Sequence, residues 1–202
     1  QKIESVRDHK DTTSDIRFER RISRISTDLA LNTISGVYAV KEKIAEGGQS
    51  EIFRAYDRSL KREVAIKRLR LLPESPEKQS KSFNDFIIEA RLSAQLEHPA
   101  IVPLYGLFCG DAPEELNLAM KLLRGQTMQE RLEMTRNIYE VKKNALAMEE
   151  AAFEERLRVF YRILKVIEYA HSRGVIHCDL KPQNLMLGDY DELYVMDWGI
   201  AY

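Results

Sequence analysis

The hydrophobic pattern of the chain changes near residue 123, and this change restricts the possible folds more than any other feature. Before residue 123, short apolar runs alternate with turns that contain glycine or proline, which predicts antiparallel strands. After it, apolar residues recur at helical spacing, as in the steps of 4, 3, 4 and 3 residues from Phe153 to Ile167. The sequence therefore predicts an α+β fold in which a sheet precedes a mainly helical part.

The first part is expected to hold five strands and one helix. The turn EGGQS at 46–50 joins the first two strands into a hairpin, because glycine suits a tight connection. The helix is expected over 80–96 and ends before His98-Pro99, since proline cannot continue it. The expected strands are 38–44, 51–56, 63–69, 102–108 and 117–122.

The second part is expected to be helical, with a few short strands near its end. A helix begins at Thr127, and one apolar stripe runs over 134–152. The stronger stripe from Phe153 to Ile167 is expected to need packing partners on more than one side. After Gly174, short strands are expected at 175–176, 185–187 and 193–196.

Composition excludes several classes of protein. The formal net charge is -1, so no basic excess indicates a nucleic-acid partner. No apolar run reaches the roughly 18 residues of a membrane span, so no membrane contact is expected within this segment. Cys109 and Cys178 lie far apart and form neither a disulfide framework nor a zinc spacing. A reducing, cytoplasmic setting is therefore expected.

The stretch HCDLKPQN at 177–184 carries the clearest chemical signal. In a phosphoryl-transfer site, a carboxylate such as Asp179 takes or orients the proton of the attacking hydroxyl. A lysine two residues later can meet the transferred phosphate, and Asn184 can offer its amide oxygen to a metal. The alternative is a polar surface loop, which the combination of residue types and spacing makes a poor explanation.

Two further motifs supply charges that suit the same chemistry. The motif DWG at 197–199 places a carboxylate and a glycine after a strand, where Asp197 can chelate Mg²⁺. The motif VAIK at 64–67 places Lys67 in an apolar strand, and Glu89 lies 22 residues later in the expected helix. A half-buried carboxylate needs a cation, so we expect Lys67 and Glu89 to pair. An ordinary surface lysine is the alternative.

The turn between the first two strands is a weaker signal. A loop that covers phosphates needs backbone amides without side chains in the way, which favours glycine. Only Gly47 and Gly48 are present there. Taken alone, this turn fits an ordinary hairpin equally well.

These features stand in the order found in protein kinases, and the chain resembles that family from residue 38 to residue 202. The sequences EGG at 46–48, AYD at 55–57, HPAIV at 98–102 and DWG at 197–199 are similar to those of bacterial, Hanks-type Ser/Thr kinases. The resemblance implies a protein kinase-like fold with two lobes. Residues 1–36 then form a polar extension with room for one short helix between Phe18 and Leu29, 37–123 form the N-lobe and hinge, and 124–202 form part of the C-lobe.

The resemblance also implies roles for individual residues and the use of ATP and Mg²⁺. Asp179 matches the catalytic base and Lys181 its neighbour, while Lys67 matches the phosphate-anchoring lysine that Glu89 holds. The implied magnesium ligands are Asn184 and Asp197. The residues expected at the ATP site, with Met120 as gatekeeper and 121–123 as hinge, are Ile44, Ala45, Glu46, Gly47, Gly48, Gln49, Ser50, Ile52, Ala65, Lys67, Met120, Lys121 and Leu123.

Three positions depart from the pattern of the family. Ala45 and Ser50 stand where the first and third loop glycines are expected, so contact with phosphate is expected to be less close. Cys178 replaces an arginine that in many kinases meets a phosphorylated activation loop. Trp198 replaces phenylalanine and is expected to keep its packing role.

The function implied is ATP- and Mg²⁺-dependent phosphorylation of Ser or Thr hydroxyls on protein substrates, since Lys181-Pro182 is the Ser/Thr pattern. One alternative is a pseudokinase that binds nucleotide or acts as a scaffold, and the two missing glycines support it. Another is a small-molecule kinase of related fold, which usually departs from the Lys-x-x-Asn spacing. The family's domain is expected to continue beyond Tyr202, and residues 1–202 alone are expected not to phosphorylate a protein.

Overall fold

A five-stranded antiparallel sheet forms the first half of the structure, in the order β1-β2-β3-β5-β4. The structure is a computed structural model that describes residues 34–70, 75–110, 115–141 and 146–199. The five expected strands are all present, with ends that lie within two residues of those predicted. They are β1 Tyr38–Glu46, β2 Ser50–Asp57, β3 Arg62–Leu69, β4 Leu104–Cys109 and β5 Leu116–Lys121.

One face of this sheet is covered by the start of the described chain. The short helix α1, Ile34–Val37, forms a single turn. Ile34 is buried against β1, β2, β3 and β5 in a cluster that includes Val64 and Ile66. The helix predicted between Phe18 and Leu29 lies outside the described residues.

Helix α2, Pro76–Gln95, covers part of the opposite face of the sheet. It begins four residues earlier than predicted, because Pro76 occupies the first turn, where a missing N–H costs nothing. Its apolar side packs against Leu69, Leu116 and Leu118 of the sheet. The buried residues of the helix are Phe83, Phe86, Ile87 and Ala90.

The second half contains two helices, α3 Met128–Val141 and α4 Leu146–Ser172, and a small sheet. Its strands β6 Gln126–Thr127, β7 Leu185–Leu187 and β8 Leu193–Val195 lie in the order β6-β7-β8. Thr127 and Glu130 cap α3 reciprocally, since Glu130 Oε2 accepts the Thr127 backbone N–H at 2.7 Å and Thr127 Oγ1 accepts the Glu130 N–H at 3.2 Å.

The strand predicted at 175–176 is not formed. Gly174, with a φ of +75°, ends α4, and the Val175 backbone N–H donates to the Ala170 carbonyl at 2.9 Å. The last turn of α4 therefore accepts the hydrogen bond of the Val175 N–H, which a neighbouring strand was expected to accept.

Helix α4 buries a different apolar stripe from the predicted one, which runs from Phe153 to Ile167. The packed residues are Val159, Ile163, Val166 and Ala170, which contact β8 and the chain after α2. The predicted stripe is displaced by one residue from them, about 100° around the helix. Its members Phe153, Leu157, Phe160 and Leu164 are between 48% and 57% exposed, whereas Ile167 is half-buried against the packed cluster. Both stripes are apolar, so hydrophobic spacing alone does not distinguish them.

The two halves are joined near the start of β4. The Val195 backbone N–H donates to the Ala100 carbonyl at 2.8 Å, and Ile101 forms a parallel bridge with Val195. Within the described residues, no helix is both long enough and apolar enough to cross a membrane.

Two glycines with positive φ provide a test of this packing. Gly125 has a φ of +132°, and a Cβ there would collide with the Leu187 carbonyl oxygen and lie 2.8 Å from Gly188 Cα. Gly174 is also left-handed, but a Cβ there would meet nothing within 4 Å. We expect Gly174→Ala to lower the free energy of unfolding by about 1–2 kcal/mol and Gly125→Ala by about 2–5 kcal/mol. Urea denaturation measures both, and equal losses would contradict the crowding between β6 and β7.

Candidate active site

Lys67 and Glu89 form the ion pair that the sequence predicts. Lys67 lies on β3 and Glu89 on the sheet-facing side of α2, with Lys67 Nζ 2.5 Å from Glu89 Oε1. Each side chain is only 12% exposed. Because a desolvated charge is costly without an opposite one, the pair fixes α2 against β3.

Asp197 reaches the same lysine from the second half of the structure. Its Oδ1 lies 3.5 Å from Lys67 Nζ, and its side chain is 49% exposed, which leaves it open to a ligand. Gly199 allows this approach, since a Cβ there would lie 3.2 Å from Glu89 Oε2 and 3.3 Å from Asp197 Oδ1. Two carboxylates, one from α2 and one from the segment after β8, therefore surround the ammonium that β3 supplies.

The loop after α4 places two polar side chains, those of Lys181 and Asn184, around Asp179. Lys181 Nζ donates to Asp179 Oδ2 at 2.6 Å, and Asn184 Nδ2 donates to the same oxygen at 3.0 Å and to the Asp179 carbonyl at 2.9 Å. The 3-10 turn Pro182–Asn184 sets this spacing. The hydrogen bond from Lys181, aided by that from Asn184, holds the pKa of Asp179 below its ordinary value. Asp179 is therefore a carboxylate near neutral pH.

His177 joins this loop to the segment that carries Asp197. Its ring is buried, its Nδ1 accepts the Asp179 backbone N–H at 3.2 Å, and its Nε2 lies 2.9 Å from the Met196 carbonyl. With Nδ1 as acceptor, Nε2 carries the proton and donates to Met196. The Asn184 carbonyl accepts the Met196 N–H at 2.8 Å, a second bond between the two segments. The sequence identified His177 only as a member of the motif, because both of its partners are backbone groups.

The loop between β1 and β2 is held by charges as well as by its turn. The Gly47 N–H donates to the Ser50 carbonyl at 2.8 Å, and the Arg70 N–H donates to the Gln49 carbonyl at 2.9 Å. Glu46 pairs with Arg70 and, at 2.6 Å, with Lys43. These contacts tie the tip of the hairpin to the end of β3 although two of the expected glycines are absent.

Those residues expected around ATP whose strand pairing is defined lie on one face of the sheet. Ala45 lies opposite Ile52, Ile52 opposite Lys67, and Ala65 opposite Met120. Since side chains two apart on a strand point the same way, these five residues line the face that carries Lys67. Lys121 ends β5, and Leu123 follows it, half-buried. Their assignment to the nucleotide stays a prediction.

Comparison with known proteins decides the family. Residues 38–202 match the family model described as the protein kinase domain. The chain belongs to the protein kinase family. The expected kinase fold, an antiparallel N-lobe sheet with one helix followed by a mainly helical C-lobe, is thereby confirmed.

Relatives of this kinase domain include bacterial serine/threonine-protein kinases. The kinase PknD of Protochlamydia amoebophila is 36% identical over 168 residues, which are 83% of this chain and 16% of that protein. The PknD of Chlamydia caviae is 34% identical over 164 residues, or 81% of this chain and 17% of its own length. The kinase domain described here thus spans about one sixth of the length of these curated relatives. The expected resemblance to bacterial Ser/Thr kinases is confirmed.

One departure of this kinase from the family pattern has a clear structural explanation. Trp198 is buried, its ring centroid lies 4.5 Å from that of His177, and its indole Nε1 donates to the Val195 carbonyl at 3.3 Å. A buried indole N–H needs an acceptor, whereas the phenylalanine that usually stands here needs none. The tryptophan therefore packs where a phenylalanine would and adds one hydrogen bond.

The polar cluster around Asp179 leads to a test that requires no substrate. In Lys181→Met, the carboxylate loses its principal hydrogen-bond donor, so the pKa of Asp179 should rise toward the ordinary aspartate value. Carboxyl carbon NMR titration of the wild type and the variant measures this shift. Lys165→Met, which alters an exposed pair with Glu168 on α4, is the control and should leave the pKa of Asp179 unchanged. An unchanged pKa in Lys181→Met would contradict the contact.

Proposed function

We propose that this kinase domain transfers the γ-phosphoryl group of ATP, with Mg²⁺, to Ser or Thr hydroxyls of protein substrates. The observation that supports the proposal best is the connection of two charged clusters through His177 and Met196. Lys67, Glu89 and Asp197 form one cluster, and the other is built around Asp179. His177 and Met196 hold the clusters together through hydrogen bonds to the backbone and a buried ring. Phosphoryl transfer depends mainly on such positioning and charge stabilisation.

In this proposal Asp179 orients the substrate hydroxyl and accepts its proton. Among the described residues, Lys181 and Asn184 both donate to Oδ2, which leaves Oδ1 for the hydroxyl. The lowered pKa keeps this carboxylate ionised near neutral pH. Lys181 places its ammonium beside the same group, where it can stabilise the negative charge of the transferred phosphoryl group.

The two proposed magnesium ligands have oxygen donors available. Asn184 uses its amide nitrogen in both bonds to Asp179, so its amide oxygen points away from that residue. Asp197 offers a half-exposed carboxylate. Carboxylate and amide oxygens suit Mg²⁺, which supplies neutralisation of phosphate charge when it is bound with the nucleotide. Lys67 anchors the α- and β-phosphates, and the residues named above around ATP form the remaining walls of the nucleotide site.

The choice of Ser and Thr as acceptors rests on Lys181-Pro182 and on the names of the relatives, which are serine/threonine-protein kinases. The compartment we propose is the cytoplasm, where ATP is available and the free thiols of Cys109 and Cys178 stay reduced.

A pseudokinase is the second candidate function, and it is supported by the presence of Ala45 and Ser50, in place of glycine, in the loop expected to cover the phosphates. Labelled ATP with Mg²⁺ and a generic protein substrate separates transfer from nucleotide binding alone.

Two substitutions in the complete protein test the assigned roles. Lys67→Met should abolish most of the transfer activity and leave the fold intact. The partners of Lys67 are charged groups, and Lys67 belongs to none of the apolar clusters of the core. Asp179→Asn should lower turnover by ~10²-fold or more, the size expected for lost general-base help. Lys78→Met, an exposed change on α2, is the matched control and should retain activity. Wild-type turnover in either active-site variant would refute the role given to that residue.

Cys178 leads to a prediction about regulation. It has a φ of +61° and an exposed thiol that lies 3.5 Å from the Ile176 carbonyl. A thiol cannot pair with a phosphate as an arginine would. Phosphatase treatment of the complete protein should therefore change its activity less than ~2-fold, if phosphorylation of the activation loop acts through this position. The same treatment should lower the activity of Cys178→Arg more. A loss of activity of about tenfold or more in the wild type would contradict this prediction, because a loss on that order is expected where an arginine pairs with the phosphate.

A further inference from the structure

A polar cluster behind the expected hinge has no part in the proposed chemistry. Lys121 Nζ donates to Glu192 Oε1 at 3.1 Å and also to the hydroxyl of Tyr194. The Tyr194 hydroxyl donates in turn to Glu192 Oε1 at 3.0 Å, and the Lys121 ammonium lies 4.8 Å from the centroid of the tyrosine ring. We call these three residues the hinge cluster.

The hinge cluster connects the two lobes rather than neighbouring turns. Lys121 is the last residue of β5. Glu192 lies 71 residues later, directly before β8, and Tyr194 lies 73 residues later, within β8. Tyr194 is buried, and β8 holds it by pairing with Met186 of β7. The tyrosine is therefore a fixed point of the C-lobe, to which the Lys121 side chain is attached.

The backbone of Lys121 is held independently on the N-lobe side. Its N–H donates to the Pro103 carbonyl at 2.9 Å, and the residue pairs with Val64 of β3. The side chain and the backbone of one residue thus bind opposite lobes at the point where the chain crosses between them. Hydrogen bonds raise the pKa of Lys121, first that with Tyr194 and then that with Glu192, and the bond from Lys121 lowers the pKa of Glu192. Both groups therefore stay charged across the physiological range.

We propose that Glu192 and Tyr194 are positioning residues for nucleotide binding, because they fix the Lys121 side chain and through it the hinge backbone that faces adenine. This inference rests on the proposed function, since it assumes that the hinge holds adenine. The contacts are partly desolvated and charge-assisted, so they are stronger than an exposed ion pair between flexible side chains.

The alternative is an ordinary surface contact with a purely structural effect, and three conservative variants distinguish the two. Lys121→Met removes the ammonium, Glu192→Gln removes the anion, and Tyr194→Phe removes only a hydroxyl. The Lys121 and Glu192 side chains are 36% and 39% exposed, so neither change opens a cavity in the core. All three variants are expected to fold.

The experiment uses the complete protein and measures two quantities. Calorimetric titration with Mg²⁺ and a non-hydrolysable ATP analogue gives Kd, and steady-state assays give kcat and the KM for ATP. We expect Kd and KM to rise about 3- to 10-fold in each variant, as for the loss of charge-assisted hydrogen bonds, with kcat changed less than about twofold. Lys121→Arg, which keeps the cation, should bind nearly as well as the wild type. The double variant Lys121→Met/Glu192→Gln should lose no more than either single variant, because the residues act as one unit.

Lys165→Met is the matched control, since it breaks an exposed lysine–glutamate pair on α4 and should leave Kd unchanged. Wild-type binding of the nucleotide together with unchanged Kd in the three variants would overturn this inference and leave the proposed function standing. An equal rise of Kd in Lys165→Met would also overturn it, because the effect would then follow from charge alone. Absence of nucleotide binding in the wild type would overturn the proposed function and this inference with it.

Discussion

The contact between Lys67 and Glu89 determines how the rest of the site is arranged. Neither charge is well hydrated, so each requires the other, and this requirement sets the position of α2 on the sheet. Asp197 approaches the same ammonium at 3.5 Å, which also relates the end of β8 to the N-lobe. Loss of Lys67 would leave the Glu89 carboxylate without its cation and loosen the contact between α2 and β3 locally, while the apolar clusters keep the overall fold. The burial of Phe83 and Phe86 supplies the apolar support, since it keeps α2 pressed against β5.

In the second lobe, hydrogen bonds to backbone groups hold the site in place. His177 uses both ring nitrogens, one toward Asp179 and one toward Met196, so that the loop of Asp179 and the segment of Asp197 share one buried ring. Two non-glycine residues beside it, Cys178 and Asp197, have φ values of +61° and +60°. Such conformations cost about 1–2 kcal/mol each, and the surrounding hydrogen bonds maintain them. Backbone strain of this kind therefore lies on both sides of the His177 ring, and among the described residues it also occurs at Lys61 and Asp191.

The sequence predicted the five strands of the first sheet, helix α2 and the pairing of Lys67 with Glu89, because each depends on local pattern or on the need of a charge for a partner. It did not predict which apolar stripe of α4 is buried, since Val159 and Phe160 are both apolar and only the position of β8 distinguishes their faces. The strand expected at Val175 was wrong, because the end of a helix supplied the hydrogen bond that a strand would have supplied. The contacts of Lys121 join residues more than 70 positions apart and leave no periodic signal.

The replacement of phenylalanine by Trp198 has a consequence for spectroscopy. Trp198 is the single tryptophan of the 202 residues, it is almost fully buried, and it directly follows the proposed metal ligand Asp197. The emission of an indole depends on its hydration and on neighbouring groups, and the imidazole of His177 lies 4.5 Å away between ring centroids. The indole fluorescence of these 202 residues, excited selectively over that of the nine tyrosines, therefore comes from the segment that carries the proposed metal ligand Asp197. The domain carries its own optical reporter at the centre of the site, with no label required.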